Sequence, residues 1–113
     1  MENRRYCLTL DLKNDPELIG TYKRYHKHIW PEVADSLRAA GIQEMEIYLY
    51  GTRLFMIMEV EEHFSFARKA EADANNPKVR EWETLMWTFQ QAMPGARPGE
   101  KWMLMERIFK FES

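Results

Sequence analysis

The stretches IQEMEIYLY (42–50) and RLFMIMEV (53–60) are separated by Gly51 and Thr52 alone. Both are rich in apolar and aromatic residues with strand character, and a two-residue gap holding a glycine is a hairpin connection. The central hairpin restricts what the flanking segments can do. Upstream, RRYCLTLDL alternates, with Tyr6, Leu8, Leu10 and Leu12 on one face and Cys7, Thr9 and Asp11 on the other. Downstream, KWMLMERIFKF closes the chain as a fourth strand. Between first strand and hairpin lies a helical stretch that opens on Asp15-Pro16-Glu17, a capping residue followed by proline in the first turn. It runs to RAAG, where Gly41 supplies the stop. A second helical region covers about 63–92, interrupted at ANNP and restarting near Pro77. MPGARPGEKW (93–102) is a turn-rich loop. The order is β-α-β-β-α-β in one domain, residues 1–113. That is the ferredoxin-like α+β plan, an antiparallel sheet with its helices on one face.

RLFMIMEV carries an assembly signal. Leu54, Met56, Met58 and Val60 form one face, but Phe55 and Ile57 make the other face apolar as well. A sheet with one solvated face alternates more cleanly, so a second subunit is expected on the far face, in a homodimer. A chain of 113 residues, 45% hydrophobic and 30% charged, has the composition of a soluble globular domain. Its net charge of −2, with both signs interspersed, provides no electrostatic footprint for nucleic acid or anionic lipid. Cys7 is the single cysteine, so no intramolecular disulfide or zinc spacing is available, and it is expected buried in its strand. The N-terminal residues lack a signal-peptide core and no stretch reaches membrane-spanning length, which points to the cytoplasm. No metal or cofactor motif is present.

The segment TYKRYHKHIWPEV (21–33) holds the candidate chemistry. At about 100° per residue, Leu18, Ile19, Tyr22, His26, Ile29, Val33 and Leu37 share one stripe, while His28 points to solvent. Tyr22 and His26, four apart, meet on the buried face. Their ordinary role is a hydrogen-bonded core pair. Burial, however, also lowers a histidine's pKa and keeps it neutral near pH 7, which suits acid–base work. Pro31 is expected to bend the helix near His26 and open space above the sheet. Glu46, Glu59 and Glu106, inside otherwise apolar strands, are further candidates for proton transfer, with ion pairing or a place at the sheet edge as the ordinary explanation. Trp82 and Trp87 lie five apart on the last helix, so they do not share a face well. The methionines of FMIM and WMLM read as adaptable core filling.

YKRYHKHIWPEV, AGI, EIYLY, RLFMIMEV and the closing AMP together resemble the L-rhamnose mutarotase family along nearly the whole chain. The most specific segment is Tyr-x-x-x-His-x-x-Ile-Trp-Pro-Glu, met by Tyr22, His26, Ile29, Trp30, Pro31 and Glu32. The resemblance implies a ferredoxin-like dimer of the dimeric α/β-barrel type. It implies an isomerase that interconverts the α and β anomers of a 6-deoxy-L-hexose, L-rhamnose or L-fucose, without metal or cofactor. Carried over by residue, the family's proton-donating histidine falls on His26 and its substrate-contacting tyrosine on Tyr22. A further sugar-binding tyrosine of the family is replaced by Met45, and its adjacent tryptophans by the separated Trp82 and Trp87. Those departures affect the part of the pocket that reads the sugar, where an aromatic face suits a pyranose's C–H surface. The rival readings on the same fold are a cofactor-independent monooxygenase and a small-ligand-binding dimer.

Overall fold

The computed structural model describes residues 4–113. The elements follow the expected order with one addition, a short strand β4 where the second helical region was expected to continue to 92: β1 (Arg4–Leu12), α1 (Pro16–Tyr25), α2 (Pro31–Ala39), β2 (Ile42–Tyr50), β3 (Arg53–Val60), α3 (Phe66–Ala74), α4 (Pro77–Trp87), β4 (Gln90–Gln91) and β5 (Met103–Leu104). The sheet order is β2-β3-β1-β4, with β5 also on β1, and every pairing is antiparallel. The hairpin closes on Tyr50 opposite Arg53, with Gly51 at φ +61° as the first turn residue. No helix among the described residues is long and apolar enough to cross a membrane.

Capping chemistry explains where the helices begin. Asp15 accepts the backbone N–H of Glu17 at 2.9 Å, and Asn76 those of Lys78 and Val79, each ahead of a proline in the first turn. The first helical region is not the single bent helix expected from its periodicity. A residue before proline is driven out of the helical region by the ring, and Trp30 accordingly is extended at φ −62°, ψ 139°. The chain therefore breaks between Tyr25 and Pro31 into two helices, and His26 caps the first. The stripe survives the break because Tyr22 and Val33 are buried and Leu18, Ile19, His26, Ile29 and Leu37 half-buried.

The final strand is also shorter than expected. Among the described residues only Met103 and Leu104 pair, opposite Thr9 and Leu8, and the Met105 N–H still reaches the Cys7 carbonyl at 2.8 Å. Beyond it the segment RIFKF has no regular structure and is exposed. The preceding loop makes two tight turns, Met93 to Ala96 and Arg97 to Glu100, each with proline second and a positive-φ glycine third.

Buried side chains gather on the helix-bearing face in two clusters. One joins Leu10, Leu12 and Leu54 of the sheet to Tyr22, Val33, Trp82, Met86 and Phe89. The other joins Leu8, Met56, Met58 and Val60 to Ile42 and Phe64. The far face is less covered: Cys7, expected buried, is half-buried, as are Phe55 and Ile57, while Glu46, Tyr48 and Tyr50 are exposed.

Gly41 ends α2 at φ +91°, and a side chain there would meet Glu61 at 2.6 Å. Gly41→Ala is therefore expected to cost about 1–2 kcal/mol, the penalty of the left-handed region for an L-residue. Urea denaturation measures this directly, and an unchanged midpoint would remove the conformational argument.

Candidate active site

Between the two clusters the helices stand off the sheet and leave a cavity of about 430 Å³. This falls in the usual range of about 300–1,000 Å³ for small-molecule sites. Leu8, Met45, Ile47, Met56 and Met58 form its sheet side, with Val33, Val79, Trp82 and Met86 from the helices, Ile29 from the break between α1 and α2 and Trp102 from the segment before β5. The walls are mostly apolar. Polar groups occupy a few positions: Tyr22, His26 and Gln90, together with Lys69, Asp73, Glu83 and Lys101.

The helix break positions the histidine. At the C-terminus of α1 the last carbonyls lack regular helical partners. The Tyr22 carbonyl receives the backbone N–H of His26 at 3.3 Å and, more closely, its Nδ1 at 2.8 Å. A carbonyl can only accept, so Nδ1 carries the proton and the neutral ring keeps Nε2 as its acceptor. Burial pushes the His26 pKa below its ordinary 6.5, opposed by the hydrogen bond to the Tyr22 carbonyl. The imidazole is thus neutral at pH 7.

Aromatic packing fixes its plane. The Tyr22 ring lies 4.3 Å from His26 between centroids, and Trp82 meets His26 edge-on at 5.6 Å. Trp30 and Tyr25 brace Trp82 at 5.2 and 6.1 Å in the same edge-on manner. Offset or edge-to-face pairs of this kind contribute about 0.5–1.5 kcal/mol each beyond area burial. The Tyr22 hydroxyl accepts a long hydrogen bond from Gln90 Nε2 at 3.4 Å. Desolvation raises the Tyr22 pKa to about 12, so the phenol keeps its proton.

Tyr22, His26, Met45 and Trp82 meet around one cavity. Trp87 does not line it and packs instead beneath Lys101, whose Nζ stands 5.0 Å above the ring. The carboxylates considered for proton transfer lie elsewhere. Glu46 and Glu106 are exposed, and Glu59 on the far face pairs with Arg5 at 3.0 Å. Sequence reasoning missed Gln90, Trp102 and the Lys101–Glu83 ion pair at the cavity wall. Trp102 had a faint signal in KWMLM, but the two residues of β4 are too few for any periodicity. Among the described residues, no group of three or more His, Cys, Asp or Glu side chains converges as a metal site.

Comparison with known proteins decides the family. The family model described as rhaM, L-rhamnose mutarotase, matches residues 5–111. The chain belongs to the L-rhamnose mutarotase family. Among similar proteins, the L-fucose mutarotase of Xanthomonas campestris pv. campestris is 50% identical over 111 residues, 96% of this chain and 89% of that protein. The L-rhamnose mutarotase of Burkholderia cenocepacia is 37% identical over 93 residues, covering 80% and 84% of the two chains. The crystal structure of L-rhamnose mutarotase FA22100 from Formosa agariphila superposes with a TM-score of 0.71. That comparison covers 96% of this chain and 99% of the other at 23% identity, and so speaks for the fold. The broken first helix sets Tyr22 and His26 of its Tyr-x-x-x-His segment against the cavity.

Proposed function

We propose that this protein is a sugar mutarotase that interconverts the α and β anomers of a 6-deoxy-L-hexose and turns over L-fucose faster than L-rhamnose. The observation that carries the chemistry is the His26 ring, half-buried, neutral, and held through Nδ1 so that Nε2 is the acceptor. Family membership favours this isomerase over the monooxygenase and ligand-binding alternatives. The preference for L-fucose is supported by the higher identity to the fucose enzyme, and by Met45 at the position where the family resemblance implies a sugar-binding tyrosine.

One shuttling proton suffices. His26 Nε2 takes the proton of the anomeric hydroxyl while the bond from C1 to the ring oxygen breaks and the C1 carbonyl forms. The imidazolium then gives that proton to the released ring oxygen, which leaves the open aldehyde and neutral His26. Rotation about C1–C2 presents the other face of the aldehyde, and the same steps in reverse close the ring to the opposite anomer. Tyr22, with its pKa near 12, donates a hydrogen bond to the developing alkoxide and keeps its own proton. Trp82 offers an aromatic wall to the sugar's C–H face, and Met45 shapes the side of the pocket that distinguishes hydroxyl patterns. In this mechanism a second carboxylate base is unnecessary.

The working form is a cytoplasmic homodimer. Support comes from the apolar far face of β3 and from the exposed tail, where Ile108 is 89% and Phe109 and Phe111 are each 75% solvent-accessible. Large contiguous apolar exposure marks an interaction surface, and a second copy presents the same two features in return. Sedimentation should give twice the chain mass.

The activity is tested by saturation-transfer NMR on L-fucose and L-rhamnose in parallel. Accelerated exchange, faster with L-fucose, is the expected result. Equal or faster exchange of L-rhamnose would overturn the preference, and no acceleration of either sugar would overturn the activity.

A further inference from the structure

The side chain of Gln90 is the unexplained polar group of the cavity. It is 4% exposed, and among the described residues its Oε1 has no hydrogen-bond partner, whereas its Nε2 donates to the Tyr22 hydroxyl. Buried acceptors are normally satisfied, so an orphan in a native structure is completed by a water or a ligand or is retained for function. Gln90 is held rigidly: its backbone pairs with Leu12 in the sheet, and Phe89 packs beside it against Tyr22 with ring centroids 6.0 Å apart. An unpartnered acceptor on a fixed strand, in the lining of the cavity that holds His26, has the properties of a recognition group.

We infer that Gln90 is a specificity-determining residue whose Oε1 accepts a hydrogen bond from one ring hydroxyl of the bound sugar. Gln90 and Tyr22 then act as a linked pair. Because Tyr22 accepts from Nε2, its own proton is free to point into the cavity. The cavity lining thus holds one donor, the Tyr22 O–H, next to one acceptor, Gln90 Oε1, which packing covers in the sugar-free cavity. A secondary hydroxyl adjacent to an oxygen that needs a donor matches that pairing, and a pyranose supplies it around its ring. The apolar surroundings amplify the discrimination. A sugar without the hydroxyl leaves the carbonyl oxygen desolvated and unpaired, which costs far more than a lost contact in water. This inference rests on the mutarotase reading and adds to it the residue that reads the sugar.

The test compares exchange rates of L-fucose and its singly deoxygenated derivatives at C2, C3 and C4, for wild type and Gln90→Leu. Wild type should lose about tenfold to a hundredfold in kcat/KM on one of the three derivatives, in line with a buried acceptor left unpaired. Gln90→Leu should be slower on L-fucose yet no longer distinguish that derivative from it. Its unfolding temperature should equal or exceed that of wild type, because the substitution removes an unsatisfied buried oxygen. If leucine fills the space too poorly to fold, Gln90→Met, of similar length and without the amide, is read the same way. Persistent discrimination in the variant, or uniform slowing on all four sugars, would overturn the inference while leaving the mutarotase reading intact. A wild type that accelerates none of the sugars would sink that reading and this inference together.

Discussion

Replacing His26 with glutamine is expected to lower the anomeric exchange rate by roughly 10²–10⁴-fold, the usual contribution of a positioned acid–base group. Glutamine preserves much of the bulk between Tyr22 and Trp82, so far-UV circular dichroism should be unchanged. The wild-type rate should also report the resting protonation state. Nε2 must be unprotonated to take the anomeric proton, and burial holds the His26 pKa below 6.5. Activity is therefore flat at neutral pH and falls only as pH drops through that lowered value. Stability follows the same sign. A histidine whose folded pKa is depressed stabilises the fold fully above the unfolded pKa of 6.5, and this contribution is lost as pH falls toward the folded value. The difference in thermal midpoint between wild type and His26→Gln, followed from neutral pH downward, should shrink over that window. A rate that rises on acidification would show that the imidazolium, rather than the imidazole, starts the reaction.

Trp82→Ala is the substitution with the largest expected effect on stability, about 3–5 kcal/mol for loss of a buried tryptophan. Its ring contacts Tyr25, His26 and Trp30 at once and forms part of the cavity wall. Trp87 is only half-buried and packs under Lys101 outside the cavity. Trp87→Ala should therefore cost clearly less, and it should leave KM for the sugar near the wild-type value. Trp82→Phe, which keeps an aromatic wall and most of the core contacts, should fold and show a raised KM. Urea titration of the three variants beside exchange kinetics separates these roles. Equal destabilisation by the two alanine substitutions, or a KM effect confined to Trp87, would reverse the assignment.

The sequence alone determined the order of the longer elements, because the signals that set it are local. Alternation in RRYCLTLDL, the two-residue Gly51-Thr52 gap, and the caps at Asp15 and Gly41 each act within a few residues of the chain. It also singled out Tyr22 and His26, since residues four apart must meet on a helix whatever lies opposite.

The tertiary structure decided the rest. Whether the first helix bends or breaks depended on the conformation forced on Trp30 by Pro31, and the break gave His26 Nδ1 its carbonyl partner. Which tryptophan reached the cavity depended on how α4 was rotated against the sheet. Gln90 was invisible in the pattern because a two-residue strand has no period. Its role depends on residue 22, which is 68 positions away in the chain. Periodicity records which way a side chain faces along its own element, but a cavity is the gap between elements, and only their packing places it.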